Sequence, residues 1–394
     1  MSIEILTGFD GASPYSDVGV TRESENCAVV FPGLRRIPGN SGEAAGVSSR
    51  LNIRLQNTGN AAAQFTIIAD WKSADCKKCA SPDGHDLGYV LYPQTHGSTG
   101  DNGDWLMIPG YRRGNTQIEY HLDLPPGITA LGLFPEFNYG DCAHFVADCK
   151  ARDVEVETIG QSREKRDIWL LSLPSPNKTA PPFFLQARDH AYETAGSFCV
   201  LGIVDFLLSD SALAQYLRSK FHVYIVPMTN PDGVYNGMSQ LTWEQGANMN
   251  RIFTVPDAAH DALKSAIDRI RPAVHMNIHN WTNKFMDGLL ANDQTIADKI
   301  LTHMPADYRH NKRWTVQTTA EYIKASGWDT LPADEMRKQH QKHWSWKNYC
   351  KDKFEAIGVT FEFPWFGLNT TAMRAKGAQA FCALALAAVE ERKY

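Results

Sequence analysis

Short runs of β-branched and aromatic residues dominate the first third of the chain. They cover residues 28–31, 51–55 and 64–71, and glycine, proline, asparagine and aspartate separate them, as in residues 57–60 and 82–84. Short strands at regular spacing with turn residues between them are typical of a β-sandwich. We therefore predict an N-terminal β-sandwich domain over residues 1–134.

From residue 135 onward, apolar runs of strand length alternate with longer segments of helical periodicity. The predicted strands are residues 168–173, 183–185, 221–227, 274–279 and 359–363. The predicted helices are residues 142–152, 195–208, 257–270, 295–303 and 375–392. Alternation of this kind indicates an α/β domain, and near-continuous apolar strands indicate a sheet covered on both faces. We predict a mixed sheet flanked by helices over residues 135–394.

Composition and charge argue against two classes of binding partner. The chain has 394 residues, is 43% hydrophobic and carries a net charge of −5. A mildly acidic chain with mixed charges gives no reason to expect nucleic acid or an anionic membrane as a partner. The N-terminus lacks the basic and apolar segments of a signal peptide, so we expect a cytoplasmic protein, while a secreted mature form stays open. The sequence does not set the oligomeric state.

Eight cysteines are spread along the chain, too sparsely for a disulfide framework. Cys76 and Cys79 form one CxxC pair, and a structural zinc site would need two further ligands. Cys142 and Cys149 lie at the wrong spacing for the common zinc ribbons. We expect reduced thiols, and leave open whether Cys76 and Cys79 bind a metal.

Polar side chains with metal-binding chemistry follow the predicted strands of the second domain. His190 and Glu193 form an H-x-x-E pair, and His279, Glu362 and Arg251 follow downstream. Ligands of open α/β sheets bind at the carboxyl ends of the strands, where these residues are expected. Two imidazoles, two carboxylates and a guanidinium provide three zinc ligands, a general base and a cation for an anionic substrate.

The motifs around these residues resemble those of the M14 zinc metallocarboxypeptidases, and most closely the cytosolic carboxypeptidase branch. The similar segments are Ala187-Arg-Asp-His-Ala-Tyr-Glu-Thr194, Pro227-Met-Thr-Asn-Pro-Asp-Gly-Val234, Gly246-Ala-Asn-Met-Asn-Arg251, His279-Asn-Trp281 and Thr360-Phe-Glu-Phe-Pro-Trp-Phe-Gly367. Their order and spacing match those of the branch, which also carries a β-sandwich before its catalytic domain.

The resemblance implies a role for each matching position. His190, Glu193 and His279 would bind one zinc ion, and Glu362 would act as the general base for a zinc-activated water. Asn250 and Arg251 would bind the terminal carboxylate of a peptide substrate, for which the planar fork of arginine is suited. The implied function is removal of a C-terminal residue from a peptide.

Three positions depart from the family pattern. Gln240 aligns with the family's arginine that polarises the scissile carbonyl. The resemblance therefore implies that Gln240 occupies this catalytic position. Asn277 replaces the aspartate of a D-x-H pattern, and Ala191 with Tyr192 replaces a P-G pair. Because the three ligand positions match the family and these positions do not, the sequence supports the prediction of zinc binding better than the prediction of ordinary carboxypeptidase turnover.

Two other functions stay open. The same metal chemistry would serve an amidase or esterase acting on a non-peptide acyl or sugar conjugate, with tryptophans such as Trp281 and Trp365 forming an aromatic pocket. A binding protein with a zinc site and no turnover is the other, and Gln240 is its main support. His275 is interpreted as a core residue or a neighbour of the ligands.

Overall fold

The computed structural model describes residues 3–12, 15–32, 51–70, 89–93, 105–114, 116–281, 286–306, 314–365 and 368–392. By their internal contacts, these residues divide into two compact units. The first unit comprises Met1–Gly140, Asp232–Gly246 and Trp365–Thr371, and the second comprises Asp141–Pro231, Ala247–Pro364 and Ala372–Tyr394. Cys76 and Cys79 lie outside the described residues.

The strands of the described N-terminal region form two five-stranded sheets. The strands are β1 (Ile3–Leu6), β2 (Tyr15–Ser24), β3 (Cys27–Pro32), β4 (Asn52–Asn57), β5 (Ala63–Asp70), β6 (Tyr89–Pro93), β7 (Trp105–Pro109), β8 (Tyr111–Arg113), β9 (Gln117–Leu124) and β10 (Gly127–Gly132). One sheet has the order β1-β4-β10-β6-β7 and the other has the order β2-β3-β5-β9-β8. Ile53 and Leu131 of the first sheet share one buried cluster with Phe65 and Tyr120 of the second. A β-rich N-terminal region is therefore confirmed, and the β-sandwich stays a prediction.

The remaining elements alternate between helix and strand along much of the chain. They are α1 (Tyr139–Ala151), β11 (Glu155–Gln161), β12 (Asp167–Leu173), β13 (Pro182–Ala187), α2 (Thr194–Leu208), α3 (Ala212–Lys220), β14 (His222–Val226), α4 (Pro231–Tyr235), α5 (Ala258–Ile270), β15 (Val274–His279), β16 (Asp287–Ala291), α6 (Gln294–His303), β17 (Trp314–Thr318), α7 (Thr319–Ala325), α8 (Ala333–Lys342), α9 (Trp346–Phe354), β18 (Ile357–Glu362) and α10 (Thr370–Arg392).

One mixed sheet of eight strands organises the described part of the second unit, in the order β11-β12-β14-β13-β15-β18-β16-β17. Its four central strands, β14, β13, β15 and β18, run parallel to one another. Most of their side chains are buried, because helices cover the sheet. The predicted mixed α/β fold is confirmed, and the parallel strands bring their carboxyl ends to one edge of the sheet.

Helices α2 and α10 cross at glycine residues. This close contact fixes the position of α2, the helix that follows the H-x-x-E motif. A Cβ on Gly202 of α2 would lie 2.0 Å from the Arg374 carbonyl oxygen of α10, and one on Gly377 would lie 2.4 Å from the Cys199 Cα. Both distances are too short for any larger side chain. The close crossing holds α2 against α10 and so fixes the helix start beside Glu193.

No single helix in the described ranges is long and apolar enough to cross a membrane. The helices α2 and α3, which are bent by 97° at their junction, reach the required length and hydropathy only when taken together.

Candidate metal centre

The loop between β13 and α2 brings His190 and Glu193 to the edge of the sheet. Arg188 adopts a left-handed backbone conformation there, with φ of 63°. Its buried guanidinium donates to Ser197 Oγ at 2.8 Å and to the Ala191 carbonyl oxygen at 2.6 Å. These bonds stabilise a turn that few L-residues adopt, and the turn directs the following side chains inward.

Glu193 lies at the N-cap of α2 but does not cap the helix with its side chain. Its two carboxylate oxygens instead face two imidazoles, with Oε1 2.7 Å from His190 Nδ1 and Oε2 2.6 Å from His279 Nδ1. The helix N-terminus stabilises the negative charge of this carboxylate. The structure thus brings together the three predicted metal ligands, although they come from a loop and from β15.

These three side chains form a compact buried group. Their potential ligand atoms all lie within 4.8 Å of one another, and the two imidazole rings lie 4.8 Å apart by their centroids. His190, Glu193 and His279 are 8%, 3% and 1% exposed. A mixed set of nitrogen and oxygen donors held this closely is a group that could hold a metal ion, and it fits zinc by its donor chemistry.

The electrostatics of the group favour added positive charge. Burial alone would raise the pKa of Glu193, but the His190 and His279 imidazoles outweigh it and lower that pKa to about 2. Burial alone would lower the pKa of His279, but the Glu193 carboxylate outweighs it and raises that pKa to about 9, with smaller contributions from Glu362 and Asp189. A site that draws a proton onto a buried imidazole also favours a divalent cation.

The outward nitrogens of the two imidazoles give a second indication of fit. His190 Nε2 and His279 Nε2 are buried and have no hydrogen-bond partner among the described residues. A neutral imidazole carries its hydrogen on one ring nitrogen and can bind a metal through the other. With the hydrogen on Nε2, Nδ1 is free to bind an ion. Both Nδ1 atoms face Glu193, as a shared ion would require.

Glu362 is the last residue of β18 and lies beside the cluster. Its Cα is paired with that of His279 in the parallel register of β15 and β18. Phe361 and Phe363, which flank it, are fully buried, whereas Glu362 itself is partly exposed. Gly288 on β16 leaves room for this side chain, since a Cβ there would lie 2.8 Å from Glu362 Cβ and 2.5 Å from the Trp281 ring.

Asn250 and Arg251 lie on a loop that buried contacts hold in place. Trp346 Nε1 donates to the Met249 carbonyl oxygen at 2.6 Å, and His260 Nε2 lies 2.9 Å from the Arg251 carbonyl oxygen. The Arg251 guanidinium donates to the Asn250 carbonyl oxygen at 2.7 Å.

Within the described ranges no carboxylate lies within 4.0 Å of the Arg251 guanidinium. Burial lowers the pKa of Arg251, an effect only partly offset by Tyr322 and Asp189.

The remaining predicted residues have different positions. Gln240 is partly buried in the first compact unit, whereas the metal-ligand group lies in the second. His275 is fully buried and is not part of the group that could hold a metal, in line with its interpretation as a core residue.

Sequence reasoning missed Asp189, which is fully buried next to His190. Its Oδ2 lies 3.7 Å from His279 Nε2. The available signal was an aspartate two residues after a buried strand, because a buried carboxylate needs hydrogen-bond donors or a cation. Two of its donors, Thr229 and Asn277, are 40 and 88 residues away in sequence, so the sequence does not show these contacts.

Comparison with known proteins agrees with this geometry. Residues 142–287 match the zinc carboxypeptidase family model, Peptidase_M14. Cytosolic carboxypeptidase 6 of Mus musculus is 32% identical over 136 residues, which are 32% of this chain and 25% of that protein. Cytosolic carboxypeptidase-like protein 5 of Ailuropoda melanoleuca is 45% identical over 114 residues, or 26% of this chain and 13% of that protein. The chain thus spans a quarter or less of these relatives.

Solved structures match over nearly the whole chain. A metallo-carboxypeptidase from Burkholderia cenocepacia aligns with a TM-score of 0.73 and 17% identity, covering 98% of this chain and 99% of the other. A metallo-carboxypeptidase from Pseudomonas aeruginosa, in complex with (2-guanidinoethylmercapto)succinic acid, gives 0.71 and 15%, with coverage of 98% and 99%. At these identities the likeness shows the fold. Together the comparisons confirm the resemblance seen in the motifs.

Proposed function

With residues 142–287 matched to the zinc carboxypeptidase family, we propose that this chain is a zinc-dependent hydrolase that removes a C-terminal residue from a peptide. The observation that carries the proposal is the buried group of His190, Glu193 and His279, which could hold one metal ion. These three residues would hold zinc. When bound, zinc acts as a Lewis acid, which polarises a carbonyl and lowers the pKa of water.

Glu362 is proposed as the general base. It accepts a proton from the attacking water and passes it to the leaving amine, which requires a carboxylate within hydrogen-bond reach of the reaction centre. Its position opposite His279 on the neighbouring strand supports this role. Partial exposure also suits it, since a base must reach a substrate that enters from solvent.

Arg251 and Asn250 are proposed to bind the terminal carboxylate of the substrate. A guanidinium binds a carboxylate through two parallel hydrogen bonds. The absence of a carboxylate within 4.0 Å of Arg251, in the part of the chain that is described, leaves this pairing to a ligand. The fixed loop geometry would orient the peptide so that its last amide bond reaches the metal.

Gln240 is proposed to occupy the position that assists the developing oxyanion. A neutral amide N–H is a weaker donor to an anion than a guanidinium. We therefore infer slow turnover of ordinary peptides, and a zinc amidase or esterase acting on an acyl or sugar conjugate is the second candidate. A zinc-binding protein without turnover is the third. The substitution at this one position is the observation that favours both alternatives.

The domain organisation and setting belong to the same proposal. We propose a β-sandwich domain over residues 1–134 and a catalytic domain over residues 135–394. The names of the cytosolic relatives support a cytoplasmic location. A peptide or acyl conjugate is the proposed partner, with neither nucleic acid nor membrane involved.

A substrate screen tests this function. The zinc-loaded protein is incubated with a library of peptides, matched C-terminally amidated peptides and acyl conjugates, and products are read by mass spectrometry. Release of single C-terminal residues from free-acid peptides supports the carboxypeptidase. Cleavage of the conjugates alone supports the amidase or esterase, and no cleavage of any compound supports the binding protein.

A further inference from the structure

Asp189 is a fully buried carboxylate that three neutral side chains hold in place. Gln186 Nε2 donates to Oδ1 at 2.8 Å and to Oδ2 at 3.0 Å. Thr229 Oγ1 donates to Oδ1 at 2.8 Å, and Asn277 Nδ2 donates to Oδ2 at 2.8 Å. Neutral donors satisfy the lone pairs but leave the negative charge, which is costly in a buried place without a cation nearby.

The donors are themselves fixed from three neighbouring strands. Gln186 is on β13, Asn277 is on β15, and Thr229 follows β14. Gln186 Oε1 lies 3.1 Å from His275 Nε2, and since an amide oxygen only accepts, this ring nitrogen donates to it. The Gln186 amide must therefore present its NH2 group to Asp189. The carboxylate is held in one orientation by a network that begins in the core of the sheet.

One oxygen of this carboxylate lies near a proposed metal-ligand imidazole. Asp189 Oδ2 lies 3.7 Å from His279 Nε2, which is buried and has no hydrogen-bond partner within the described part of the chain. A buried N–H without a partner is costly. Oδ2 already accepts from Gln186 and Asn277, so its effect on the Nε2–H of His279 is that of a nearby negative charge.

We propose that Asp189 is a positioning residue for the metal centre, because its negative charge, 3.7 Å from Nε2, keeps the hydrogen of His279 on that ring nitrogen. A carboxylate beside the other ring nitrogen of a histidine ligand fixes the tautomer and makes the ligating nitrogen more basic. The inference rests on the proposed metal site, because it assigns a role to His279 as a ligand.

The identity of residue 277 supports this assignment. Asn277 occupies the position where the D-x-H pattern has an aspartate, and its amide is the 2.8 Å donor to Asp189. Two carboxylates at that distance would repel each other, so this pair of positions accommodates one negative charge. In this chain the charge lies on residue 189 and the neutral amide on residue 277.

A charge exchange between the two positions tests the inference. Asp189→Asn keeps the shape but removes the negative charge, and zinc affinity is expected to fall by about 10–100-fold. Asn277→Asp alone places two carboxylates together and is expected to lower the unfolding temperature of the zinc-free protein. The double variant has one carboxylate again and is expected to recover most of the lost affinity, since contacting residues couple.

The measurement is competition of the full-length protein with a fluorescent zinc chelator, with thermal unfolding of each zinc-free variant recorded in parallel. The visible spectrum of the cobalt-substituted protein provides a readout of ligand geometry that a merely structural role would leave unchanged. Asp287→Asn, which breaks the buried 2.7 Å pair with Lys376, is the control for lost stability without lost zinc affinity.

Each outcome has a defined meaning. Undiminished zinc affinity in Asp189→Asn overturns the inference and leaves the metal site intact. If that variant does not fold, the double variant decides: a folded double variant that binds zinc nearly as wild type does supports the inference, and a folded one without zinc binding overturns it. Failure of the wild-type protein to bind zinc overturns the metal site and this inference together.

Discussion

Glu362 lies opposite His279 on the neighbouring parallel strand, and the two Cα atoms are register partners. Partnered residues of adjacent strands project from the same face of a sheet. The proposed base and a proposed metal ligand are therefore adjacent although 83 positions separate them in sequence. The Glu362 charge also contributes to the raised pKa of His279. This adjacency supports the proposed role of Glu362 as the general base.

The proposed ligand set leads to a prediction of metal content. Wild-type protein should contain one zinc ion per chain, and His190→Ala should lose most of it, because one of three protein ligands is removed. His144→Ala, which alters an exposed histidine on α1, is the matched control and should keep its zinc. Elemental analysis of dialysed samples checks this. Unchanged zinc in His190→Ala would exclude that residue as a ligand.

The proposed carboxylate site leads to a prediction of substrate selectivity. Arg251→Ala should raise KM for peptides with a free C-terminal carboxylate, since deleting the partner of a buried charge costs roughly 2–5 kcal/mol. Amidated peptides lack that charge and should be affected much less. Arg269→Ala is the control, because this exposed arginine pairs with Glu157 at 2.8 Å, away from the site. Equal losses on both peptide types would argue against carboxylate binding.

The buried imidazole of His275 leads to a prediction of pH dependence. Its pKa in the folded protein is about 3, below the ordinary 6.5, so the unfolded chain binds more protons between these values. Its stabilising contribution is therefore complete above pH 6.5 and is lost as the pH falls towards 3. The expected slope is about 1.4 kcal/mol per pH unit from this one group.

Urea unfolding in the presence of a chelator, at pH 7, 6, 5 and 4, measures this slope. In His275→Gln the free energy of unfolding should fall less steeply with decreasing pH than in the wild type. Chelation removes metal loss as a cause of the difference. Parallel curves for the two proteins would show that His275 does not titrate as its burial requires.

Much of the second unit could be predicted from the sequence. The apolar runs predict the strand over residues 274–279 and a strand over 359–363 that overlaps β18, and the helix predicted from residue 195 begins one residue after α2 does. Placement of His190, His279 and Glu362 at strand ends followed from the general position of ligands in α/β sheets. Local patterns carry this information because a buried strand and an amphipathic helix each leave a period in the sequence.

Long-range pairings could not be predicted in the same way. The sequence does not show that Asn277 donates to Asp189, nor that β16 and β17 extend the sheet beyond β18. In the N-terminal region, β3 pairs in parallel with β5, which alternation alone does not reveal. Register between distant strands depends on tertiary packing, so it leaves no period along the chain.

Gln240 leads to a prediction about catalytic rate. A single oxyanion donor is worth about 10²–10³ in kcat, so wild-type protein should be slow on blocked dipeptides. Gln240→Arg should increase kcat/KM on the same substrates. A wild-type value of about 10⁶ M⁻¹s⁻¹, inside the common range of roughly 10⁴–10⁸, would show that the glutamine is no handicap. A slow enzyme with no gain from the substitution would favour the binding protein.

The most direct test of the proposed function compares Glu362→Gln with wild-type protein, with zinc content and release of C-terminal residues measured on the same samples. Glutamine keeps the shape of the side chain but cannot accept the proton of the attacking water. We predict that wild-type protein releases single C-terminal residues, and that Glu362→Gln retains its zinc while losing this activity. A zinc-loaded Glu362→Gln protein with wild-type kcat would contradict the proposal.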